Sequence, residues 1–232
     1  MNYQQKMQLR RWLHKPLWTY IFLGIQTVVF LLAYLVPNLQ IESAGGMFGP
    51  LVVFYHEYWR FITPIFIHFG LMHFAVNSVM LYFMGEQMEN VYGHWRFFLI
   101  YMLSGIMGNM ASFAMNQPGV LSAGASTSLF GLFGAIFALA LNFRNTPSIT
   151  MMARQFLMFI GLSLVFSLFD STIDIWGHIG GVVGGLLLGN IVGVANRNER
   201  YSVHQRIISA LIFIFIAVIC LLLGLKKYGL LV

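Results

Sequence analysis

From Phe97 to Phe143 the chain carries no charged residue. That stretch is more than twice the roughly 20 apolar residues that cross a bilayer as one helix, so it has to turn back on itself. The break falls at Asn116-Gln117-Pro118-Gly119, because Pro and Gly end helices. Five further apolar runs flank it: Leu17 to Val36, Phe61 to Gly85, Gln155 to Phe169, Ile175 to Ala195 and Ile207 to Leu225. Continuous blocks of this length exclude a membrane β-barrel, which is built from alternating segments of about 10 residues. The expected fold is therefore all-α, a polytopic membrane helix bundle of seven transmembrane helices. Composition agrees: 59% of residues are hydrophobic and 9% charged, whereas about 25% of a soluble domain is charged. Disorder, a collagen-like fold and nucleic-acid binding are excluded. The lone Cys220 rules out a disulfide framework and a cysteine-rich metal site.

The positive charges orient the bundle. With the amino terminus in the cytoplasm, Lys6, Arg10, Arg11, Lys15, Arg96, Arg144, Arg154, Arg197, Arg200 and Arg206 lie inside, and only Arg60, Lys226 and Lys227 lie outside. The first run is too long for a signal peptide and lacks a small-residue cleavage site, so it reads as a retained anchor. The expected layout is a short cytoplasmic tail at 1–16, a six-helix core at 17–196, and a linker with the seventh helix at 197–232, without a soluble domain. The outer connection 37–60 mixes Gly and Pro with Phe48, Phe54, Tyr55, Tyr58 and Trp59, which suits a segment lying in the membrane interface.

Polar groups at membrane depth are costly and mark functional candidates. His73 and Asn77 sit four apart on one helix face, with His68 nearby; they read either as interhelical glue or as hydrogen-bond donors to a ligand. Zinc fits poorly, since positions 68 and 73 diverge on a helix and no Cys or acidic partner is close. Gly124-Ala125-Ser126-Thr127-Ser128 opens the fourth helix, where unpaired N–H groups and the positive dipole end favour an oxyanion. A plain N-cap is the other reading. Gly at 128 and a preceding strand would be needed for an α/β-hydrolase elbow, and Ser128 excludes it. His178 opens the sixth helix, followed by glycines at 181, 185, 189 and 193, a stripe that lets a neighbouring backbone approach closely. Gly131, Gly134, Ala135 and Ala138 give the fourth helix a matching small face. Jointly these groups put a hydroxyl, an imidazole and two donors at one end of the bundle, the parts needed for acyl transfer.

From Trp59 to Gly193 the chain resembles the rhomboid family of intramembrane serine proteases. Trp59-Arg60 resembles that family's Trp-Arg, and His73-Phe74-Ala75-Val76-Asn77 its H-x-x-x-N. Gly85-Glu86, Tyr92-Gly93 and Arg96-Phe97 resemble the segment between its second and third helices. Gly124-Ala125-Ser126-Thr127 resembles the nucleophile motif, and His178-Ile179-Gly180-Gly181 with Gly185 resembles H-x-x-G-x-x-x-G. The resemblance implies a six-plus-one helix arrangement and a Ser126–His178 catalytic dyad. It also implies oxyanion stabilisation by His73, Asn77 and the Ser126 N–H, and Phe130 packed on the His178 ring. Gly124, Gly181, Gly185, Trp59 and Arg60 are supporting residues. Thr127 departs from the family's usual Gly and puts a β-branched side chain at a crowded spot. Asp174 reads as the sixth helix's N-cap or as a carboxylate orienting His178, and Asp170 as loop.

The expected function is a serine endopeptidase, a hydrolase that cuts transmembrane segments of other membrane proteins. It needs no cofactor and no metal. Partners are those substrates and the lipid bilayer, with no nucleic acid; nothing in the sequence sets an oligomeric state. The resemblance further implies that substrate enters sideways between the second and fifth helices, and the short fifth run suits a gate. The expected location is a prokaryotic plasma membrane, with the site facing outward. An inactive relative that binds clients without cutting is the first alternative; it is disfavoured because Ala125, not Pro, precedes Ser126. A transporter is the second, disfavoured because the spans hold no Asp, Glu, Lys or Arg.

Overall fold

A computed structural model describes residues 15–167, 173–194 and 201–230. Lys6, Arg10, Arg11, Asp170, Arg197 and Arg200 lie outside the described residues. The long helices are α1 (Leu17–Leu35), α4 (Gly70–Met80), α5 (Glu86–Tyr92), α6 (His94–Met115), α7 (Ser126–Asn142), α8 (Pro147–Ser167), α9 (Ile175–Val192) and α10 (Val203–Lys227). Two short helices, α2 (Ile41–Gly45) and α3 (Gly49–Phe54), occupy the connection after α1. Among the described residues the only β pairing is an isolated bridge between Met47 and Ser122.

Four helices, α1, α6, α9 and α10, are long and apolar enough to cross a membrane. The outward faces of α1 and α10 carry apolar side chains. In α1 the buried stripe is Thr19, Phe22, Gln26 and Phe30, at the three- and four-residue spacing of one helix face. Val28, Leu31 and Leu35 point outward. On α10, Ile207, Leu211, Ile214, Phe215 and Leu222 are exposed, whereas Ser209, Cys220 and Gly224 are buried. Exposed apolar bands of this extent are a lipid-facing surface. The protein is an integral membrane protein.

The central unit is α6, α7 and α9, with α10 packed on α6 and α9. Glycines make this possible. A Cβ on Gly185 would overlap the Gly131 carbonyl, one on Gly181 the Thr127 carbonyl, and one on Gly134 the Val182 carbonyl. The two backbones therefore touch along α7 and α9, and each helix start is fixed relative to the other. α8 packs chiefly on α7, through Phe156 against Phe133.

The structure differs from the sequence reading in three places. Residues 61–69 are not regular helix: 3₁₀ turns Tyr58–Phe61 and Thr63–Phe66 precede α4. Pro64 contributes no N–H, and Gly70, at φ +81°, takes a conformation that disfavours other residues. His68 thus precedes the helix rather than sharing it with His73. A π-helical turn, Leu81–Gly85, joins α4 to α5. Finally, the fifth apolar helix is not short, since α8 begins at Pro147 and runs through Arg154. Pro suits a first helical turn, and a long Arg side chain near a helix end can reach polar surroundings.

Candidate active site

Ser126 is the first residue of α7, after Gly124 at φ +136° and Ala125. A Cβ at position 124 would be strained and would lie 2.7 Å from His73 Nε2 and 3.4 Å from Ser126 Oγ. Only glycine allows the imidazole and the hydroxyl to crowd this turn. The turn is held from several sides. Gly124 N donates to the Pro64 carbonyl at 2.9 Å, and Ser122 and Met47 exchange backbone bonds of 2.7 and 3.0 Å. The Ala125 N–H points to His68 Nε2 at 3.4 Å. As the first residue of a helix, Ser126 offers its own N–H among those with no intrahelical acceptor, at the positive end of the dipole.

His178 sits in the first turn of α9, and its Nε2 is 2.9 Å from Ser126 Oγ. For the hydroxyl to donate to Nε2, the ring proton must reside on Nδ1. Phe130, one turn into α7, stacks on the imidazole with centroids 4.0 Å apart and planes 7° from parallel. Ring stacking and backbone contact between α7 and α9 leave the imidazole little freedom.

His73 Nδ1 accepts from the Phe69 N–H at 3.3 Å. The ring proton is then on Nε2, the atom facing Gly124 and Ser126. Asn77 is placed differently: its Nδ2 donates to the His73 carbonyl at 2.8 Å, and its Oδ1 is buried without a partner. Its amide supports the turn that carries His73.

The remaining predicted residues surround this centre. Arg60 is buried and donates to Glu57 at 2.6 Å and to the Ser43 and Gly46 carbonyls at 2.9 and 2.5 Å. It fixes the loop that contributes Met47. Trp59 is half-exposed, with its indole N–H 3.5 Å from the Ala44 carbonyl. The Thr127 side chain is buried against Gly108 of α6, so it fills the helix seam rather than the open side of the turn. Asp174 caps α9 through the Gly177 N–H at 2.8 Å. Among the described residues no group of three or more His, Cys, Asp or Glu side chains forms a metal site.

A serine hydroxyl against a stacked imidazole, beside a helix N-terminus and a second imidazole donor, is equipped for nucleophilic attack on a carbonyl. The Rhomboid domain profile matches residues 55–195. The chain belongs to the rhomboid family. It is 34% identical over 219 residues to the rhomboid protease GluP of Bacillus subtilis (strain 168), covering 93% of this chain and 41% of that protein. It is 32% identical over 145 residues to the putative rhomboid protease YdcA of the same organism, covering 62% of this chain and 72% of that protein. It is also 26% identical over 216 residues to the inactive rhomboid-related protein 2 of Caenorhabditis elegans, covering 88% and 62%. This rhomboid thus spans less than half the length of GluP.

Sequence reasoning missed Asn116, Ser112 and Lys227, which tie helix ends around the site, and gave His68 no role at Ala125. Their partners are backbone groups or helix caps, which leave no spacing pattern.

Proposed function

We propose that this rhomboid is an intramembrane serine endopeptidase that cuts transmembrane segments of other membrane proteins with a Ser126–His178 dyad. The observation that carries the reading is the 2.9 Å approach of Ser126 Oγ to His178 Nε2 at the mouths of two helices. His178 takes the hydroxyl proton as Oγ attacks the substrate carbonyl carbon. The developing oxyanion falls to the Ser126 N–H and His73 Nε2, with Asn77 behind. His178 then gives its proton to the leaving amine, and water releases the acyl group. Losing the normal function of a triad's acid costs about 10⁴ in rate, so a dyad is expected to turn over slowly.

The proposed setting is a seven-span bundle. Its six-helix core lies at 17–196, its seventh helix in 197–232 and its cytoplasmic tail at 1–16, with the active-site end facing outward from a prokaryotic plasma membrane. Positive charge on the opposite end supports this orientation. A substrate with helix-weakening residues enters sideways between the second span (α4 and α5) and the fifth (α8); that α8 packs chiefly on α7 supports its role as the movable wall.

The test is co-reconstitution of the full chain with a labile transmembrane substrate. Wild type should release a defined fragment and react with a fluorophosphonate at Ser126; Ser126→Ala and His178→Ala should do neither. Unchanged cleavage by either variant rejects the dyad, and a probe adduct on Thr127 or Ser128 relocates the nucleophile. Likeness to a protein named inactive favours one second reading, a client-binding rhomboid without catalysis. It predicts uncut substrate held by wild type and no probe adduct.

A further inference from the structure

The turn that carries His178 is itself held by a carboxylate. Asp174, one turn before it, hydrogen-bonds through its carboxylate to groups other than the imidazole. Oδ1 accepts from the Gly177 N–H at 2.8 Å and from Asn116 Nδ2 at 2.9 Å, and Oδ2 accepts from the Ser112 hydroxyl. Two of these donors come from the end of α6, so the first turn of α9 is fastened to α6 through one side chain. The His178 N–H bonds the Asp174 carbonyl at 3.1 Å, so the cap sets the turn on which the imidazole stands. Gly177 fits this packing: a Cβ there would lie 2.8 Å from both Asp174 Oδ2 and Ser112 Oγ.

The chain of contacts continues to the seventh helix. Lys227, in the last turn of α10, donates from Nζ to the Phe113 carbonyl and, at 2.8 Å, to the Asn116 carbonyl. Its ammonium lies 5.8 Å from the Phe113 ring centroid and 5.2 Å from that of Tyr228. Those two rings stack on each other at 5.8 Å. The last carbonyls of a helix lack intrahelical donors and carry the negative dipole end, so a cation is well placed there. Asn116 is the crossing point: its carbonyl receives Lys227 and its amide reaches Asp174.

We infer that Lys227, Asn116 and Asp174 are positioning residues for His178, through which the end of the seventh helix sets the dyad geometry. The inference rests on the dyad reading above. The physical reason is geometric. A misplacement of about 1 Å at a reacting pair is enough to cost roughly 100-fold. The Asp174 cap adds side-chain hydrogen bonds to the packing of the α9 start on α6.

The experiment uses the full chain in proteoliposomes and follows kcat, KM, fluorophosphonate labelling rate and thermal unfolding. Lys227→Met and Asp174→Asn are each expected to lower kcat about 10- to 100-fold with KM unchanged and labelling slowed in parallel. The double variant should be no worse than the weaker single, because both break one chain of contacts. Lys227→Arg should restore most of the rate, and Lys226→Met, an exposed neighbour on the same turn, should leave it unchanged. Wild-type kcat in Lys227→Met overturns the inference. So do a rate loss that tracks lost folded protein and fully additive single effects. If Asp174→Asn fails to fold, Lys227→Met decides alone. Ser126→Ala and His178→Ala in the same assay separate the two levels. If they cleave normally the dyad reading fails; if they are dead while Lys227→Met is normal, only the positioning inference fails.

Discussion

The two ends of the bundle use the same polar residue types to opposite purposes. At the end away from Ser126, the Glu89 carboxylate accepts from the Trp18 and Thr19 N–H groups, each at 2.9 Å, and from the Thr19 hydroxyl at 2.8 Å. It also lies 2.5 Å from His94 Nδ1. It caps the start of α1, whose first N–H groups have no intrahelical acceptor. Nearby, Asn142, Asn190 and Gln205 close a triangle of amides between α7, α9 and α10. At the other end, Ser126, His73 and His178 converge on one turn, and their surroundings hold buried atoms without partners, namely His68 Nδ1, Asn77 Oδ1 and Thr127 Oγ1. The closed networks hold helices together, whereas the proposed active site requires groups that converge on one turn. Neither residue type nor an unpaired atom separates the two, since Tyr201 Oη is also buried without a partner beside the Gln205 network; convergence on one turn does.

The largest effect on stability is expected at Glu89. Removing this carboxylate leaves two backbone N–H groups and a hydroxyl without their acceptor, at about 1–3 kcal/mol for each buried donor left unsatisfied. Glu89→Ala is therefore expected to lose that much stability in a denaturant titration. The molecules that remain folded should cleave substrate with wild-type kcat. A fall in kcat among folded molecules would mean the far end is coupled to the dyad.

The opposite pattern is expected at His73. Its Nε2 faces the turn before Ser126, and an oxyanion donor is worth about 10²–10³ in kcat. His73→Ala should lose rate on that scale, with a melting temperature close to wild type. Asn77→Ala should fall short of it, roughly tenfold or less, because its amide already bonds the His73 carbonyl and acts through His73. Steady-state kinetics on both variants gives the ranking. Equal losses would place Asn77 in direct contact with the oxyanion.

Much of this arrangement is legible in the sequence, and the parts that are not share a cause. The break between α6 and α7 is readable because Pro118 and Gly119 cannot continue a helix. The approach of Ser126 to His178 is readable because glycines every four residues announce touching backbones. Residues 61–69 read as helix from their apolar composition, whereas Pro64 lacks an N–H and regular helix starts only at Gly70. α8 extends past the apolar run that starts at Gln155, because a charge such as Arg154, two turns inside the helix start, need not stop it. The link from Lys227 to His178 is invisible for a different reason: two of its bonds end on the carbonyls of Phe113 and Asn116, which every residue possesses.

The smallest expected effect sits where α10 meets the far end. Gln205 donates to Asn190 Oδ1 at 2.9 Å and to Asn142 Oδ1 at 3.2 Å, and both bonds are neutral and half-buried. Gln205→Ala should cost about 1 kcal/mol, the net worth of an ordinary hydrogen bond, with kcat unchanged. α10 is thus held at one end by Gln205 and at the other by Lys227, yet only the Lys227 end is connected to α9 next to the imidazole. Unfolding and kinetic measurements on the two variants side by side test that asymmetry. A rate loss in Gln205→Ala at full stability would show that anchoring α10 anywhere along its length suffices to set the site, and that Lys227 has no special connection to His178.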